Sequence, residues 1–539
     1  MQNGSHSRPE LSRSRFDVAV IGGGINGVAI ARECALAGRS TLIVERHDFA
    51  AGTTSRSTRI IHGGLRYLEH GEVGLVRESL RERERLLAER PHLVRPIQFL
   101  LALGPEAHRS ALEVRFGLWL YRRFAGAGMR ARHSRHDMAN FERLLDSGRR
   151  WSVFHYEDAQ CEFPERLVAE WLVEAADAGA VVRNSTEVLE IDVRDSCAGG
   201  LRLRDQLSGR EERVEAKWII NAAGPWVDAV CQLAGIDSPR LIGGVRGSHI
   251  VLPKFPGAPE AALYTEATDG RPVFLIPWNG QLLVGTTEVP DSTDPADCEA
   301  SEEEIRYLLQ SVQRLFPGAG LRHEHIRYAY AGIRPLPFVH DLAPAAVTRR
   351  HFLHDHAPEG AAGFISVVGG KLTTAASLAR QCARKIGIPV AEPTAIGCAG
   401  DVDMGLKHWA AHAASEANIS EQSARAIGGW HGRLSGQILH MAKTSQYMRQ
   451  RVCAHTPHIV AEVAYAFSHE FAMTLGDALL RRVPLALGEC WSESCAEIAS
   501  RRVGEALGWT EKRIATECEA LIAERAAFLK TPALPARVS

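Results

Sequence analysis

The sequence lacks a long hydrophobic run. None of its apolar stretches reaches the roughly 18 to 20 residues that a membrane-spanning helix needs, and residues 1–14 are polar, without the apolar segment of a signal peptide. Residues 1–14 are predicted to form a disordered tail. We expect a cytoplasmic chain without a transmembrane helix, and contact with the inner face of the cytoplasmic membrane stays open.

The sequence also lacks an excess of charge of one sign. Lys and Arg total 63, Asp and Glu total 64, and the formal net charge is −1. A chain without a global basic excess is not expected to bind nucleic acid.

The 11 cysteines include no C-x-x-C pair, so the pattern favours a reduced chain over a disulfide framework. The histidine groups, among them His351, His354 and His356, lack accompanying cysteines or carboxylates at a typical metal-ligand spacing. They are interpreted as polar loop or surface residues, and no metal site is predicted.

The length of 539 residues predicts two or three domains. Strand and helix signals alternate from Phe16 onward. After about residue 390 the strand signals fade and helical stretches such as 458–482 and 511–528 dominate. We therefore place a domain boundary near 390–400.

The first clear unit is a strand, a helix and a second strand. The apolar run at 17–22 predicts a buried strand, and 26–38 has helical spacing and ends at a glycine. A second buried strand is predicted at 40–45. Together these segments predict a βαβ unit.

A G-x-G-x-x-G motif joins the first strand to the helix. Gly22 is expected to make the tight turn, Gly24 to let the backbone approach a pyrophosphate, and Gly27 to let the helix pack on the strand. Asn26 lies at the helix start, where N–H groups favour phosphate. Glu45 ends the second strand and can accept hydrogen bonds from ribose hydroxyls. The motif predicts a dinucleotide cofactor but does not separate NAD from FAD.

The segments that follow resemble the aerobic FAD-dependent glycerol-3-phosphate dehydrogenases, which belong to the flavoprotein superfamily of D-amino-acid and glycine oxidases. The resemblance is carried by GTTSRSTRIIHGGLRYLEHGE (52–72), NAAGPWVD (221–228), RGSHIVLP (246–253), FLIPWNGQLLVGTTE (274–288), YAGIRPL (330–336), VVGGKLTT (367–374) and HEFAMTLGDALLRR (469–482). It implies FAD as cofactor. It also implies a Rossmann-like α/β FAD-binding domain, interleaved with an antiparallel-sheet substrate domain over 15–395, and an all-α C-terminal domain over 396–539.

The same resemblance implies further cofactor contacts with the pyrophosphate, the flavin and the adenine. These are Thr53, Thr54 and Ser55 at the pyrophosphate, His62, Gly63, Gly370, Lys371, Leu372 and Thr373 at the flavin, and Val188 at the adenine. The segment 369–374 is predicted as a strand end, a glycine turn and a helix start. Its N–H groups would stabilise negative charge on a reduced flavin.

A phosphorylated substrate calls for cations, and arginine can bind phosphate bidentately. The resemblance places a set of polar side chains in the substrate pocket: Arg66, Tyr67, Arg334, Arg349 and Lys371. The match around Arg349 is poor, because the following residues depart from the family pattern.

His249 is the candidate base, because imidazole can take a proton near neutral pH. His62 is the rival. The sequence does not separate a base from a residue that positions the flavin.

The leading hypothesis is oxidation of sn-glycerol 3-phosphate to dihydroxyacetone phosphate, with hydride transfer to flavin N5 and a quinone as electron acceptor. The alternatives are an oxidase that uses oxygen, an enzyme that oxidises amines or amino acids, and a flavin-binding protein without catalysis. The stretch 116–123, bulky apolar residues followed by two arginines, suggests membrane contact, although a helix buried in the core is the preferred interpretation. A homodimer stays open.

Overall fold

In this computed structural model the described residues are 11, 14–69, 71–125, 141–340, 347–390 and 402–531. The strands are β1 (Arg15–Ile21), β2 (Thr41–Val44), β3 (Ile60–Ile61), β4 (Val94–Leu103), β5 (Ser152–Cys161), β6 (Val181–Arg183), β7 (Thr186–Arg194), β8 (Cys197–Asp205), β9 (Glu211–Asn221), β10 (Val245–Pro253), β11 (Ala262–Glu266), β12 (Pro272–Trp278), β13 (Gln281–Gly285), β14 (Val289–Pro290), β15 (Tyr328–Arg334), β16 (Phe352–Asp355) and β17 (Phe364–Val368). The helices are α1 (Ile25–Leu36), α2 (Val73–Glu89), α3 (Ala111–Ala125), α4 (Pro164–Asp177), α5 (Val227–Gln232), α6 (Glu302–Leu315), α7 (Ala375–Lys385), α8 (Val402–Ala417), α9 (Glu421–His431), α10 (Ser435–Thr444), α11 (Val460–His469), α12 (Leu475–Asp477), α13 (Glu493–Leu507) and α14 (Glu511–Phe528).

The first sheet is built around the predicted βαβ unit, which is confirmed. Its strand order is β16-β17-β9-β1-β2-β6, and β1 pairs in parallel with both β2 and β9. The strands β7 and β8 continue the sheet from β9 as an antiparallel extension. Val18, Ala19 and Val20 are fully buried, because helices or chain segments cover both faces of a sheet of this kind.

The second sheet is almost entirely antiparallel. Its strand order is β14-β10-β13-β12-β11-β4-β5-β3, with β15 paired to β10, and only β4 and β11 run in parallel. The strands β12 and β13 form a hairpin, and both Asn279 and Gly280 have the positive φ that its tight turn requires. Strands of the two sheets alternate along the chain, so the predicted interleaved fold is confirmed.

The described part of the chain from residue 402 onward is helical, as predicted. The expected long helical stretch at 458–482 is nevertheless broken after His469, and α12 begins at Leu475. Glu470 in the gap accepts hydrogen bonds from the buried Arg166 of α4 at 2.8 Å. This tertiary ion pair fixes the chain where a continuous helix was expected. The predicted boundary falls mostly in 391–401, outside the described residues, and the division into domains stays a prediction.

The helical region shares its core with the antiparallel sheet. Leu479 and Val483 pack in one buried cluster with Trp278 and Tyr328. A buried ion pair links the same region to the first sheet, since Arg482 donates to the carboxylate of Asp48, three residues after Glu45, at 2.6 and 2.8 Å. The helical region therefore stabilises both sheets.

Two expectations about surface segments are corrected. Of the predicted tail, the structure describes only Leu11 and Ser14, and Leu11 is buried with its N–H donating to Glu212 Oε1 at 2.9 Å; the other positions lie outside the described residues. His351 and His356 are buried rather than exposed, because the hairpin of β16 and β17 places them against the core.

The preferred interpretation of 116–123 as a helix buried in the core is wrong for half of its surface. In α3, Val114, Leu118 and Tyr121 face the core, while Phe116 and Trp119 on the opposite side are 64% and 60% exposed. The two exposed rings stack with centroids 5.8 Å apart. Among the described residues no helix has the length and apolar character needed to cross a bilayer.

Candidate active site

The glycine motif forms a tight junction between β1 and α1. A Cβ on Gly27 would lie 1.9 Å from the carbonyl oxygen of Gly22, and Gly22 itself has φ +109. A Cβ on Gly24 would meet only Thr54 Oγ1, at 3.4 Å. Backbone atoms therefore leave no room for a side chain at Gly22 or Gly27. At Gly24 the space in front of the helix is open to a ligand.

Glu45 lies beside this junction. Its carboxylate accepts hydrogen bonds from the Gly23 N–H at 2.6 Å and the His47 N–H at 2.9 Å, and burial raises its pKa. Thr186 lies on β7, two residues before Val188, and its N–H donates to the Glu45 carbonyl at 2.8 Å. The structure thus brings the predicted ribose and adenine positions together.

The predicted pyrophosphate segment passes across the start of α1. Thr54 Oγ1 accepts the Ile25 N–H at 3.0 Å, and Thr53 Oγ1 donates to the Ile333 carbonyl at 2.8 Å. Ser55 donates to the Ala50 carbonyl. These contacts hold the segment between the helix and the strand that ends at Arg334.

Two further turns meet next to α1. Gly370 has φ +102, and a Cβ there would lie 2.3 Å from Asn26 Nδ2, which donates to the Gly369 carbonyl at 3.3 Å. Thr373 Oγ1 accepts the His62 N–H at 3.2 Å. The turn between β17 and α7 and the turn after β3 therefore form one surface, at the position predicted for the flavin.

Gly63 and Leu372 complete this surface. The Gly63 N–H donates to the Tyr121 hydroxyl at 2.8 Å, and that hydroxyl also donates to the buried Asp158 carboxylate. Leu372 packs, partly buried, against the core cluster that includes α1 and α7. A buried hydrogen-bond network thus holds the turn after β3 in place.

Several buried polar atoms along these turns have no hydrogen-bond partner within the described part of the chain: Asn26 Oδ1, Thr374 Oγ1 and Lys371 Nζ. Buried polar groups are almost always hydrogen-bonded. A flavin ring offers both donors and acceptors along its edge, so these atoms fit a bound flavin.

A cluster of cations lies beside the flavin surface. The Lys371 ammonium is 3.8 Å from the centre of the Tyr67 ring. The Glu288 carboxylate accepts from Arg349 Nη2 at 2.6 Å and from Arg66 Nη1 at 3.4 Å. Residues from four separate segments are therefore assembled here.

Arg334 joins the cluster from the end of β15. Its guanidinium donates to Thr286 Oγ1 at 2.9 Å and to the Thr287 carbonyl at 3.1 Å. A Cβ on Gly247 would lie 2.5 Å from Arg334 Nη2, so only glycine leaves room for the side chain over β10. Burial lowers the pKa of Arg334 to about 10, and Glu288 partly offsets this.

His249 follows Gly247 on the same face of β10. Its Nε2 shares a hydrogen bond of 2.9 Å with Thr58 Oγ1, and its ring stacks on Tyr330 at 4.9 Å. Burial, together with the nearby Arg334, holds the pKa of His249 well below its usual value. The imidazole is therefore neutral at pH 7.

The imidazole of His62 is also neutral at pH 7. Burial and then Lys371 lower its pKa to about 3, and its ring centroid is 6.3 Å from that of Tyr67. Both histidines border the cation cluster, so geometry alone leaves both in place as candidate bases.

Comparisons with known proteins identify the family of the chain. A family model described as "FAD dependent oxidoreductase" matches residues 17–376, and one described as "C-terminal domain of alpha-glycerophosphate oxidase" matches 367–514. A glycerol-3-phosphate dehydrogenase of Synechocystis sp. is 35% identical, with 98% of each chain covered. The chain belongs to the FAD-dependent glycerol-3-phosphate dehydrogenases.

A further curated relative and a solved structure are also similar to this chain. The D-erythritol 1-phosphate dehydrogenase of Brucella abortus is 38% identical over 68% of this chain and 72% of its own. The structure of the glycerol-3-phosphate dehydrogenase from Bacillus halodurans complexed with FAD superposes with a TM-score of 0.74 at 23% identity, covering 96% of each chain. The latter likeness shows that the fold is shared.

Sequence reasoning missed Glu288 and Thr58 as members of this FAD-dependent site. Glu288 lies in the GTTE segment after β13, and its role depends on two arginines that are distant in sequence. Thr58 contacts His249, which is 191 residues away in the sequence. The only available signal was their position inside segments that already carried the family resemblance.

Proposed function

We propose that this chain oxidises sn-glycerol 3-phosphate to dihydroxyacetone phosphate with FAD and passes the electrons to a quinone at a membrane surface. The observation that carries the proposal is the cation cluster around Tyr67, next to the turns that fit the flavin. The relative that matches along almost the whole chain is named for glycerol 3-phosphate, which supports the same substrate.

The cluster suits a phosphate dianion. Glu288 pairs with Arg66 and Arg349 and also acts on Arg334, while Glu72 and Glu78 act on Lys371. The buried Lys371 Nζ has no hydrogen-bond partner among the described residues, in a site where burial strengthens electrostatic interactions. Arginine can bind two phosphate oxygens at once, and the buried Lys371 Nζ supplies a further donor.

Bound FAD would accept the hydride, and with it two electrons, from the substrate carbon that is oxidised. His249 is placed to take the hydroxyl proton, because its imidazole is neutral and Thr58 holds its ring. Arg334, over the neighbouring Gly247, stabilises the negative charge that develops on the substrate oxygen. His62 is the alternative base.

One other substrate class, a longer phosphorylated polyol, has specific support. The D-erythritol 1-phosphate dehydrogenase relative favours a longer phosphorylated polyol, which the same cations would bind. An amino acid presents a carboxylate that one arginine can bind, so the number of cations argues against amine or amino-acid oxidation. A flavin-binding protein without catalysis would not need this cluster.

The surface of α3 supports delivery of electrons to a membrane. Phe116 and Trp119 are exposed, and Arg115, Arg122 and Arg123 flank them. Exposed aromatic rings next to arginines are typical of helices that lie in the interface of a bilayer with anionic lipids. In the proposal, this face of α3 contacts the inner face of the cytoplasmic membrane.

Turnover with a panel of substrates and two acceptors tests the proposal. We expect activity with sn-glycerol 3-phosphate and a soluble quinone analogue, and much slower oxygen consumption. Faster turnover of D-erythritol 1-phosphate than of sn-glycerol 3-phosphate would make the longer polyol phosphate the preferred substrate. Equal rates with oxygen, accompanied by hydrogen peroxide, would make the chain an oxidase.

A further inference from the structure

Three cysteines and a histidine converge in the helical region, at a place that the flavin site does not use. The ligand atoms of Cys453, His455, Cys490 and Cys495 all lie within 4.8 Å of one another, and Cys495 Sγ is 3.9 Å from His455 Nδ1. With Zn–S bonds of about 2.3 Å, the ligand atoms of a tetrahedral zinc site stand about 3.8 Å apart. The four side chains are therefore already close to that arrangement.

We propose that Cys453, His455, Cys490 and Cys495 bind one structural zinc ion. Thiolate and imidazole are the ligands that zinc prefers, and a set of three cysteines and one histidine is a common structural site. A complete set of four protein ligands leaves no open position for a substrate. The ion would therefore stabilise the fold and take no part in the reaction.

The ligands come in two pairs from two rigid segments. Cys453 and His455 lie in a loop closed by a bridge between Arg451 and Ile459. Cys490 and Cys495 flank the start of α13, where the Ser492 hydroxyl accepts the Cys495 N–H at 3.3 Å. Closed loops and a capped helix start hold the ligand atoms in place before any ion binds.

Burial in the site is uneven in a way that suits a bound ion. Cys453 and Cys495 are buried, whereas His455 and Cys490 are exposed. The two buried thiols lie against the core, and the two exposed groups leave a path for the ion to enter from solvent.

The zinc would brace the end of the antiparallel sheet that is remote from the substrate. The chain segment that leads to Cys490 contacts this sheet, since the Leu487 carbonyl accepts from the Tyr328 hydroxyl at 2.7 Å and from Gln281 Nε2 at 3.1 Å. Tyr328 begins β15 and Arg334 ends it. The ion thus anchors the helical region to the far end of the strand that carries the substrate arginine.

Neighbouring histidines do not offer an equivalent site. His458 is hydrogen-bonded to Glu462 at 2.7 Å and stacks on Trp430, so its ring is already engaged. His354, His356 and Glu359 also lie close together. His354 Nε2 is hydrogen-bonded to Glu359 and His356 Nε2 to Ser366, and the group supplies three side chains rather than the four of a closed zinc site.

The metal content of the untagged full-length protein, purified without chelator from zinc-supplemented cells, tests the proposal. We expect about one zinc ion per chain in the wild type and in Cys197→Ser, which changes an exposed thiol outside the cluster. The double variant Cys453→Ser/Cys490→Ser should retain less than about a tenth of that zinc. It should unfold at lower temperature while its FAD absorbance persists at low temperature.

If the double variant does not fold, the wild type still decides the question. Replacement of zinc by Co²⁺ should produce a thiolate-to-cobalt charge-transfer band. Wild-type protein without zinc and without this band would overturn the proposal. So would full zinc retention by the double variant, or the mass deficit of a disulfide among these three cysteines.

Discussion

The Lys371 ammonium lies 3.8 Å from the centre of the Tyr67 ring, with its Nζ atom buried. An aromatic face attracts a cation but neutralises none of its charge. Burial therefore dominates and lowers the pKa of Lys371 to about 7, although Glu72 and Glu78 oppose this. The lysine therefore gains or loses its proton near neutral pH, and the proposed phosphate site should respond to pH in that range.

Substrate capture should weaken as pH rises through about 7. Lys371 is charged below its pKa and loses its proton above it, whereas a phosphate monoester is mostly a dianion above about pH 6. The pH profile of kcat/KM reports groups of the free enzyme. Steady-state kinetics with glycerol 3-phosphate should thus show a decline on the alkaline side.

Lys371→Arg provides the matched control for this profile. Arginine stays protonated throughout the range, so the alkaline decline should disappear even if the maximum rate is lower. Lys371→Ala should raise KM by about tenfold or more, the effect of a lost charged hydrogen bond. An unchanged alkaline decline in Lys371→Arg would show that another group titrates.

Replacement of His249 should slow flavin reduction without loss of the cofactor. General-base catalysis contributes about 10²- to 10⁴-fold, so His249→Ala should reduce the anaerobic rate of flavin reduction within that range. The measurement is stopped-flow absorbance at saturating substrate. His62→Ala is the comparison, and a larger loss of rate there, with FAD still bound, would make His62 the base.

Gly27→Ala should impair binding of FAD. Its Cβ would lie 1.9 Å from the Gly22 carbonyl oxygen, so α1 must move away from β1. We expect several-fold lower FAD occupancy and a lower melting temperature, measured by absorbance and calorimetry. Gly74→Ala in α2, where a Cβ meets nothing within 4 Å, is the control. Full FAD occupancy in Gly27→Ala would contradict the role given to the junction.

The α3 surface should bind anionic membranes. In co-sedimentation with vesicles that contain phosphatidylserine, the double variant Phe116→Ser/Trp119→Ser should bind several-fold less than the wild type, because the exposed apolar area is lost. Leu207→Ser removes an equally exposed apolar side chain on another surface and should have no effect. If the wild type itself does not sediment at low salt, the membrane proposal fails.

Features set by neighbouring residues were predictable from the sequence. The glycine motif, the Asn279-Gly280 turn and the start of α6, where the Ser301 hydroxyl accepts the Glu304 N–H, each depend on a few adjacent positions, and the structure has all three. The break in the helix after His469 was not predictable, because it follows from the distant partner of Glu470.

The site required information that the sequence alone does not contain. The resemblance supplied the individual arginines, but their pairing through Glu288 arises only when segments 222 and 61 residues apart meet. The same holds for Cys453, His455, Cys490 and Cys495, since neither short pair has a familiar zinc spacing. The exposed face of α3 was misjudged because apolar residues on both sides of a helix favour burial.

Anaerobic reduction of the bound flavin tests the central claim most directly. The purified protein should be yellow, and sn-glycerol 3-phosphate should bleach its visible absorbance, whereas glycerol and a panel of amino acids should not. The same protein with Arg334→Ala should keep its colour and bleach far more slowly. A yellow protein that glycerol 3-phosphate fails to bleach would contradict the proposed substrate, and a colourless protein that cannot take up FAD would contradict the cofactor site itself.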